Sequence, residues 1–308
     1  MFFTSSSISF NPERDIPSLH GKVILVTGGN TGLGKQAILE FARHEPHQIW
    51  LAARNLEKAE VAVTEIKQQV PDAPIKLLEL DLASFDSIRQ AARSFLGESE
   101  RLDILMLNAG IMAVPPALTK DGYEVQFGTN HMGHAYLTKL LLPVLEKTSQ
   151  AETEVKPRVV CLASHGHVYL RKDGLDFDTL RTTGESTGPL QCYYQSKLAN
   201  MLWVRQLAKR YPQFIVSAID PGLVQTELAV KATGISWILR TIIKTMLLTP
   251  VEKGVKNQLW ASVSKDVKSG EYYEPIGREG LATDDGKDDE LAAKLWAWTE
   301  NELDNLGT

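Results

Sequence analysis

Tyr193 and Lys197 stand four residues apart in the run Tyr193-Tyr194-Gln195-Ser196-Lys197. A helix puts both on one face and turns Tyr194 away. A lysine ammonium about 4 Å from a phenol, at an effective dielectric near ~20, favours the phenolate by about 4 kcal/mol. That is enough to bring a tyrosine from about 10 close to neutrality. Such a group can give a proton to, or take one from, a substrate oxygen, which typically contributes about 10²–10⁴ in rate. The same spacing arises wherever a tyrosine packs and a lysine is solvated, so the pair gains meaning only from its company.

A second candidate lies near the N-terminus. Thr27-Gly28-Gly29-Asn30-Thr31-Gly32-Leu33-Gly34 follows a β-branched run and precedes a helical pattern that opens at Lys35. Glycines at a strand-to-helix turn let the backbone approach a pyrophosphate, which the helix N-terminal amides then stabilise. The spacing is Gly-x-x-x-Gly-x-Gly, and without a ligand it would be only a tight turn. About 20 residues further on, where NAD sites carry an acidic residue for the ribose hydroxyls, the chain reads Leu51-Ala52-Ala53-Arg54-Asn55. With no carboxylate there, Arg54 suits a 2′-phosphate, because its planar fork makes paired, charge-assisted hydrogen bonds to phosphate oxygens. NADP(H) is therefore expected over NAD(H). Arg54 could also be a solvated charge at a helix start, and Lys35 could share the phosphate or face water.

Positioning these groups requires a particular scaffold. Apolar, β-branched runs at Val23–Thr27, Ile49–Ala53, Ile75–Leu80, Ile104–Leu107, Val159–Leu162 and Ile215–Ile219 alternate with helical patterns at Lys35–His44, Leu56–Gln69, Ser87–Phe95, Tyr123–Leu145 and Lys197–Tyr211. Six βα repeats predict an α/β, doubly wound Rossmann fold, a parallel sheet of about seven strands with helices on both faces. No linker or internal repeat divides it. The expected organisation is an N-terminal extension over 1–20 and a single domain over 21–308. Within the domain, a substrate lid is expected at about 226–250 and a tail at about 277–308, with a polar loop at Gly277–Glu290 and a helix around Leu291–Leu303.

Bulk properties narrow the function. A net charge of −5 over 308 residues gives no global pull toward nucleic acid, which is not expected as a partner. Two cysteines, Cys161 and Cys192, form neither a CxxC pair nor a disulfide framework, which points to an intracellular, cytoplasmic setting. The greasy run Ile235–Leu248 is broken by Arg240 and Lys244. It falls short of the roughly 20 apolar residues of a membrane span, so a soluble protein with no transmembrane segment is expected, light peripheral contact aside. His131, His134, His165 and His167 invite a metal or a serine–histidine reading. No carboxylate stands at triad spacing and Ser164 lacks a G-x-S-x-G elbow, so no metal site and no hydrolase is expected.

Taken in order, the glycine loop, Asn108-Ala109-Gly110, Ser164, Tyr193/Lys197 and Asp220-Pro221-Gly222 resemble the short-chain dehydrogenase/reductase family over about Gly21 to Thr226. Asn130-His131-Met132-Gly133-His134 and Ser196-Lys197-Leu198-Ala199-Asn200 look most like its retinol-dehydrogenase-like branch, with fungal reductases the nearest in character. The resemblance implies that Ser164 holds the substrate oxygen, Tyr193 is the acid/base, and Lys197 binds the nicotinamide ribose and tunes the tyrosine. It implies that Asn130 keeps a helix bend and a water linking Lys197 to solvent. Asp81 and Leu82 would lie along the adenine and Asn108 near its ribose, with Ala109 and Gly110 in the same motif. Pro221, Gly222, Val224 and Thr226 would face the nicotinamide. Asp81 could instead merely finish a strand, Asn108 cap a turn and Thr226 cap a helix. An apolar lid suits a hydrophobic alcohol, ketone or aldehyde, and a homodimer through Tyr123–Leu145 and Lys197–Tyr211 is an option. Two rivals are an epimerase or dehydratase, and a catalytically silent NADP(H)-binding sensor or scaffold of the same fold.

Overall fold

In β1 (Val23–Thr27), Ile24 and Val26 face one way and Val23 and Leu25 the other, and all four are buried. A strand buried on both faces must lie inside a sheet covered twice, which is why its sequence is an unbroken apolar run. The computed structural model describes residues 8–151, 156–171, 174–224, 233–234 and 249–305. β2 (Gln48–Ala53), β3 (Ile75–Glu79), β4 (Ile104–Leu107), β5 (Arg158–Leu162), β6 (Ile215–Ile219), β7 (Tyr272–Glu274) and β8 (Arg278–Glu279) complete an eight-stranded sheet in the order β3-β2-β1-β4-β5-β6-β7-β8. All neighbouring pairs are parallel except β7 with the short edge strand β8.

One layer contains α1 (Gly32–Ala42), α2 (Leu56–Lys67) and α6 (Lys256–Val263), which supply Ile38, Ile66 and Trp260 to one core. The other contains α3 (Phe85–Glu98), α4 (Gly133–Ala151), α5 (Pro189–Arg210) and α7 (Asp289–Asp304). Its core joins Phe95, Leu137, Leu202 and Leu295. Residues 8–20 pack into the first core through Phe10, Ile16 and Leu19, and the Ile8 amide donates to the Ile276 carbonyl at 3.0 Å.

Three elements differ from the sequence expectation. The stretch Tyr123–Leu145 is not one helix. A single turn at Val125–Phe127 passes into a wide π-type turn at Gly128–Met132 before α4 begins. Asn130 lies within this turn, and its buried side chain bonds the backbone of Ile111; such turns gather at functional sites. The helix carrying Lys197 starts at Pro189, a residue pre-set for a first helical position, so Tyr193 sits inside α5. The polar stretch Gly277–Glu290 contains β8 and a helical turn at Asp284–Lys287, and α7 begins at Asp289 because Asp288 accepts from the Glu290 and Leu291 amides. α7 then lies along α5, with Trp296 stacked on Trp203 at 6.5 Å and Asp289 paired with Arg205 and Lys209. The face of α5 considered for a partner copy is covered by the chain's own C-terminal helix. Among the described residues, no helix is long and apolar enough to cross a membrane. Apart from 233–234 and 249–250, the expected lid lies outside the described residues.

Candidate active site

Strand order reverses between β1 and β4. In doubly wound sheets the crevice beyond the carboxyl ends of strands at such a point is where ligands bind. The sequence-predicted residues gather at that edge: Gly28 after β1, Arg54 after β2, Asp81 beyond β3, Asn108 after β4, Ser164 beyond β5 and Pro221 beyond β6.

Gly28 has φ +66°, and a Cβ there would stand 3.0 Å from the Ala109 Cα. A Cβ on Gly34 would collide with the Gly28 carbonyl and lie 2.5 Å from Asn108 Nδ2. The loop is thus a cradle that only glycine backbone lines. Thr31, extended at φ −157°, makes no side-chain cap, so no side chain of its own closes the first turn of α1 to an anion. Asn30, Gly32 and Leu33 complete this turn. Asn108 donates from Nδ2 to the Thr27 carbonyl at 2.9 Å and holds the loop's start. Arg54 is exposed, and among the described residues no ion pair engages it. Lys35 pairs with Glu65, so it is neither free toward the loop nor simply solvated. The cradle fits the pyrophosphate of a nicotinamide dinucleotide. Asp81 turns its carboxylate to the Ala83 amide at 3.1 Å, and Leu82 is buried against Gly133.

The catalytic candidates converge below. Asn130, fully buried, accepts from the Ile111 amide at 2.9 Å and donates to the Ile111 carbonyl at 3.0 Å and to Ser196 Oγ at 2.9 Å. Ser196 in turn donates to the Tyr193 carbonyl at 2.7 Å, tying the two elements together. Lys197 Nζ donates to the Leu162 carbonyl at 2.9 Å and lies 5.7 Å from the centre of the Tyr193 ring. A Cβ on Gly110 would sit 3.2 Å from Asn130 Oδ1 and 3.7 Å from Lys197 Nζ, so the Asn108-Ala109-Gly110 turn forms the floor between them. Ser164 accepts from the Gly166 amide at 3.0 Å, and its side chain pulls the titration of the buried Tyr193 phenol downward.

Electrostatics correct the expectation of a tyrosine brought to neutrality by its lysine. Burial pushes the Tyr193 phenol well above its ordinary value, with Ser164 pulling the other way. Burial also pushes Lys197 down to about 8. The reason is geometric. The ammonium is directed at the Leu162 carbonyl rather than the phenol, and losing water penalises the charged form of each group.

Asp220 was not foreseen as a working residue. It accepts from the His165 amide at 3.1 Å and the Gly222 amide at 3.0 Å, so it pins the loops after β5 and β6 together. Burial pushes its carboxyl up to about 6. Pro221 and Gly222 (φ +78°) follow, and Val224 pairs with Thr249 in an isolated bridge. Thr226 lies outside the described residues. The four histidines have separate partners. His131 meets Thr299, His134 meets Thr27 and Asn130, and His167 meets the Ser164 carbonyl. His165 Nδ1 meets Glu274 at 2.7 Å, a carboxylate delivered by β7 from a distance in sequence at which spacing says nothing. Thr27, Asn200 and Glu274 were likewise missed. Only Asn200, three residues past Lys197 on α5, had a periodic signal.

This geometry has relatives. The short chain dehydrogenase family model matches residues 22–164. A short-chain dehydrogenase/reductase of Aspergillus calidoustus is 38% identical over 303 residues, covering 94% of this chain and 95% of the relative. Human retinol dehydrogenase 13 is 36% identical over 290 residues, covering 91% and 84%. A crystal structure of an uncharacterized protein from Mycobacterium Paratuberculosis superposes with a TM-score of 0.73 at 30% identity over 97% of this chain and 98% of that one. Similarity of this extent spans the cofactor edge and the catalytic helix alike, and the chain belongs to the short-chain dehydrogenase/reductase family of oxidoreductases.

Proposed function

We propose that this protein is an NADP(H)-dependent oxidoreductase that interconverts a hydrophobic alcohol and its ketone or aldehyde, with Tyr193 as acid/base. The observation that carries this reading is the convergence of Ser164, Tyr193, Lys197 and Asn130 at the strand-order reversal, with Lys197 Nζ on the Leu162 carbonyl and Asn130 on Ser196 of the same helix as Tyr193.

The Gly28–Gly34 loop amides would hold the pyrophosphate and Arg54 the 2′-phosphate. Asp81 and Leu82 would flank the adenine, Asn108 its ribose, Lys197 the nicotinamide ribose, and Val224 with Thr226 the nicotinamide amide. When bound, the cofactor supplies or accepts the hydride at the substrate carbon. In reduction, Ser164 donates a hydrogen bond to the substrate oxygen and Tyr193 transfers its phenolic proton to that oxygen as negative charge develops there. Burial raises the phenol's pKa, so Tyr193 keeps its proton at neutral pH and stands ready as the donor in that direction. Asn130, through its two bonds to Ile111 and one to Ser196, keeps the floor beneath Lys197 rigid. Asp220 holds the Ser164 loop against the Pro221-Gly222 turn.

The test is purified protein mixed with NADPH or NADH and a panel of apolar aldehydes and ketones, followed by loss of the reduced nicotinamide absorbance. Turnover with NADPH, weak with NADH and abolished in Tyr193→Phe, is expected. Tight NADPH binding with no turnover across the panel would leave a cofactor-binding protein of this fold and overturn the enzyme assignment.

A further inference from the structure

His134 is a polar side chain that the mechanism above does not use. It sits on α4 one helical turn past Asn130, it is 2% exposed, and both of its ring nitrogens are engaged. Nδ1 lies 3.0 Å from the Asn130 carbonyl oxygen, and Nε2 lies 2.9 Å from Thr27 Oγ1. A carbonyl oxygen only accepts, so Nδ1 carries a proton. Burial, with Lys197 nearby, holds this imidazole down to about 3, so it is neutral and Nε2 is an acceptor. The Thr27 hydroxyl must therefore donate to Nε2, leaving its more distant neighbour, the Met106 carbonyl at 3.4 Å, without that proton. Its oxygen still accepts the Ala109 amide at 3.0 Å. Each direction in the chain is thereby set: Ala109 N–H to Thr27 O–H to His134 Nε2, and His134 Nδ1–H to Asn130 O.

We propose that His134 is a positioning residue that joins the cofactor loop to the catalytic floor through this directed chain. At one end are Thr27, which opens the glycine loop, and Ala109, whose Cα the Gly28 backbone approaches. At the other is the carbonyl of Asn130, whose side chain orders Ile111 and Ser196 beside Lys197. A slip at Thr27 is transmitted to the Asn130 turn by one rigid ring, with no flexible side chain between. The inference rests on the proposed roles of Asn130 and Lys197 for its catalytic part, while the proton on Nδ1 follows from geometry alone.

The two nitrogens can be separated by substitution. In His134→Asn the amide nitrogen stands where Nδ1 does and keeps the donor to Asn130. His134→Gln reaches only the Nε2 position, toward Thr27. With NADPH and a turned-over carbonyl compound, His134→Asn, which keeps the donor to Asn130 but loses the contact to Thr27, is expected to hold kcat within about threefold of wild type while raising the KM for NADPH. His134→Gln is expected to lose kcat roughly tenfold with little change in KM for NADPH, about the effect of one buried hydrogen bond. Thr27→Val, which removes both the donor to Nε2 and the acceptor for Ala109, is expected to raise the KM for NADPH. Equal losses of kcat in the Asn and Gln variants, each matched by its loss of thermal midpoint, would make His134 core filling and overturn the proposal. Nitrogen-15 spectra of His134 in the folded wild-type chain are read alongside and need no turnover. Protonation at Nδ1 supports the chain and protonation at Nε2 overturns it. Absent turnover with Nδ1 protonated would therefore count against the oxidoreductase reading and leave the directed chain standing.

Discussion

Replacing Lys197 with methionine is expected to abolish turnover and at the same time stabilise the protein near neutral pH. Lys197 is 4% exposed, and burial brings it down to about 8 from 10.5. That difference corresponds to about 3 kcal/mol of penalty for keeping the ammonium charged in the fold. The folded chain binds the proton less tightly than the unfolded chain, so the sign is settled. Below pH 8 both states are charged and the full penalty applies. Between about 8 and 10.5 the folded state sheds its proton and the penalty fades, so wild-type stability from this residue rises with pH. Against the gain stands the lost Nζ bond to the Leu162 carbonyl, about 1.5–2 kcal/mol for a charged donor. That carbonyl is not orphaned, since Asn200 Nδ2 donates to it at 3.1 Å. Methionine fills nearly the same volume without a charge. The net expectation is a gain of about 1 kcal/mol at pH 7, or roughly 2 °C in thermal midpoint, turning into a small loss near pH 10.5, where the charge penalty has gone and only the lost bond remains. Urea unfolding of both proteins at pH 7 and pH 10 measures it. A variant less stable than wild type at pH 7, or a difference independent of pH, would refute the claim that Lys197 is held charged at a cost to the fold.

Arg54→Ala is expected to raise the KM for NADPH about 10–100-fold, the effect of losing charge-assisted bonds to a phosphate, while leaving NADH kinetics unchanged. Equal effects on both cofactors would remove Arg54 from the 2′-phosphate. Gly34→Ala forces a Cβ against Asn108 Nδ2 and the Gly28 carbonyl; it is expected to destabilise by about 1–3 kcal/mol and to eliminate NADPH binding in a fluorescence titration. Because α7 already covers α5, the slow amide exchange of α5 is expected to be the same in dilute and concentrated protein. Protection that grows with concentration in hydrogen–deuterium exchange would mean that a second copy covers the helix.

The repeating βα pattern, the glycine loop before α1 and the Tyr193/Lys197 pair were legible in the sequence because each depends on local physics: apolar runs that must be buried, backbone that only glycine allows, and side chains one helical turn apart. From that pattern alone the first six of the eight strands fell within one residue of their places, whereas β7 and β8 carried no such signal. Tertiary structure decided everything that depends on contacts distant in the chain. Asn130, in a π-type turn, meets the backbone of Ile111, a partner 19 residues away with no periodic signature. Glu274 reaches His165 and α7 covers α5 because β7 and the C-terminus close the sheet's far side. The direction of the Lys197 ammonium, and hence the raised rather than lowered Tyr193, follows from how deeply α5 is sunk against β5. Spacing places two side chains on one face, whereas the water each loses and the neighbour each meets are properties of the packed fold.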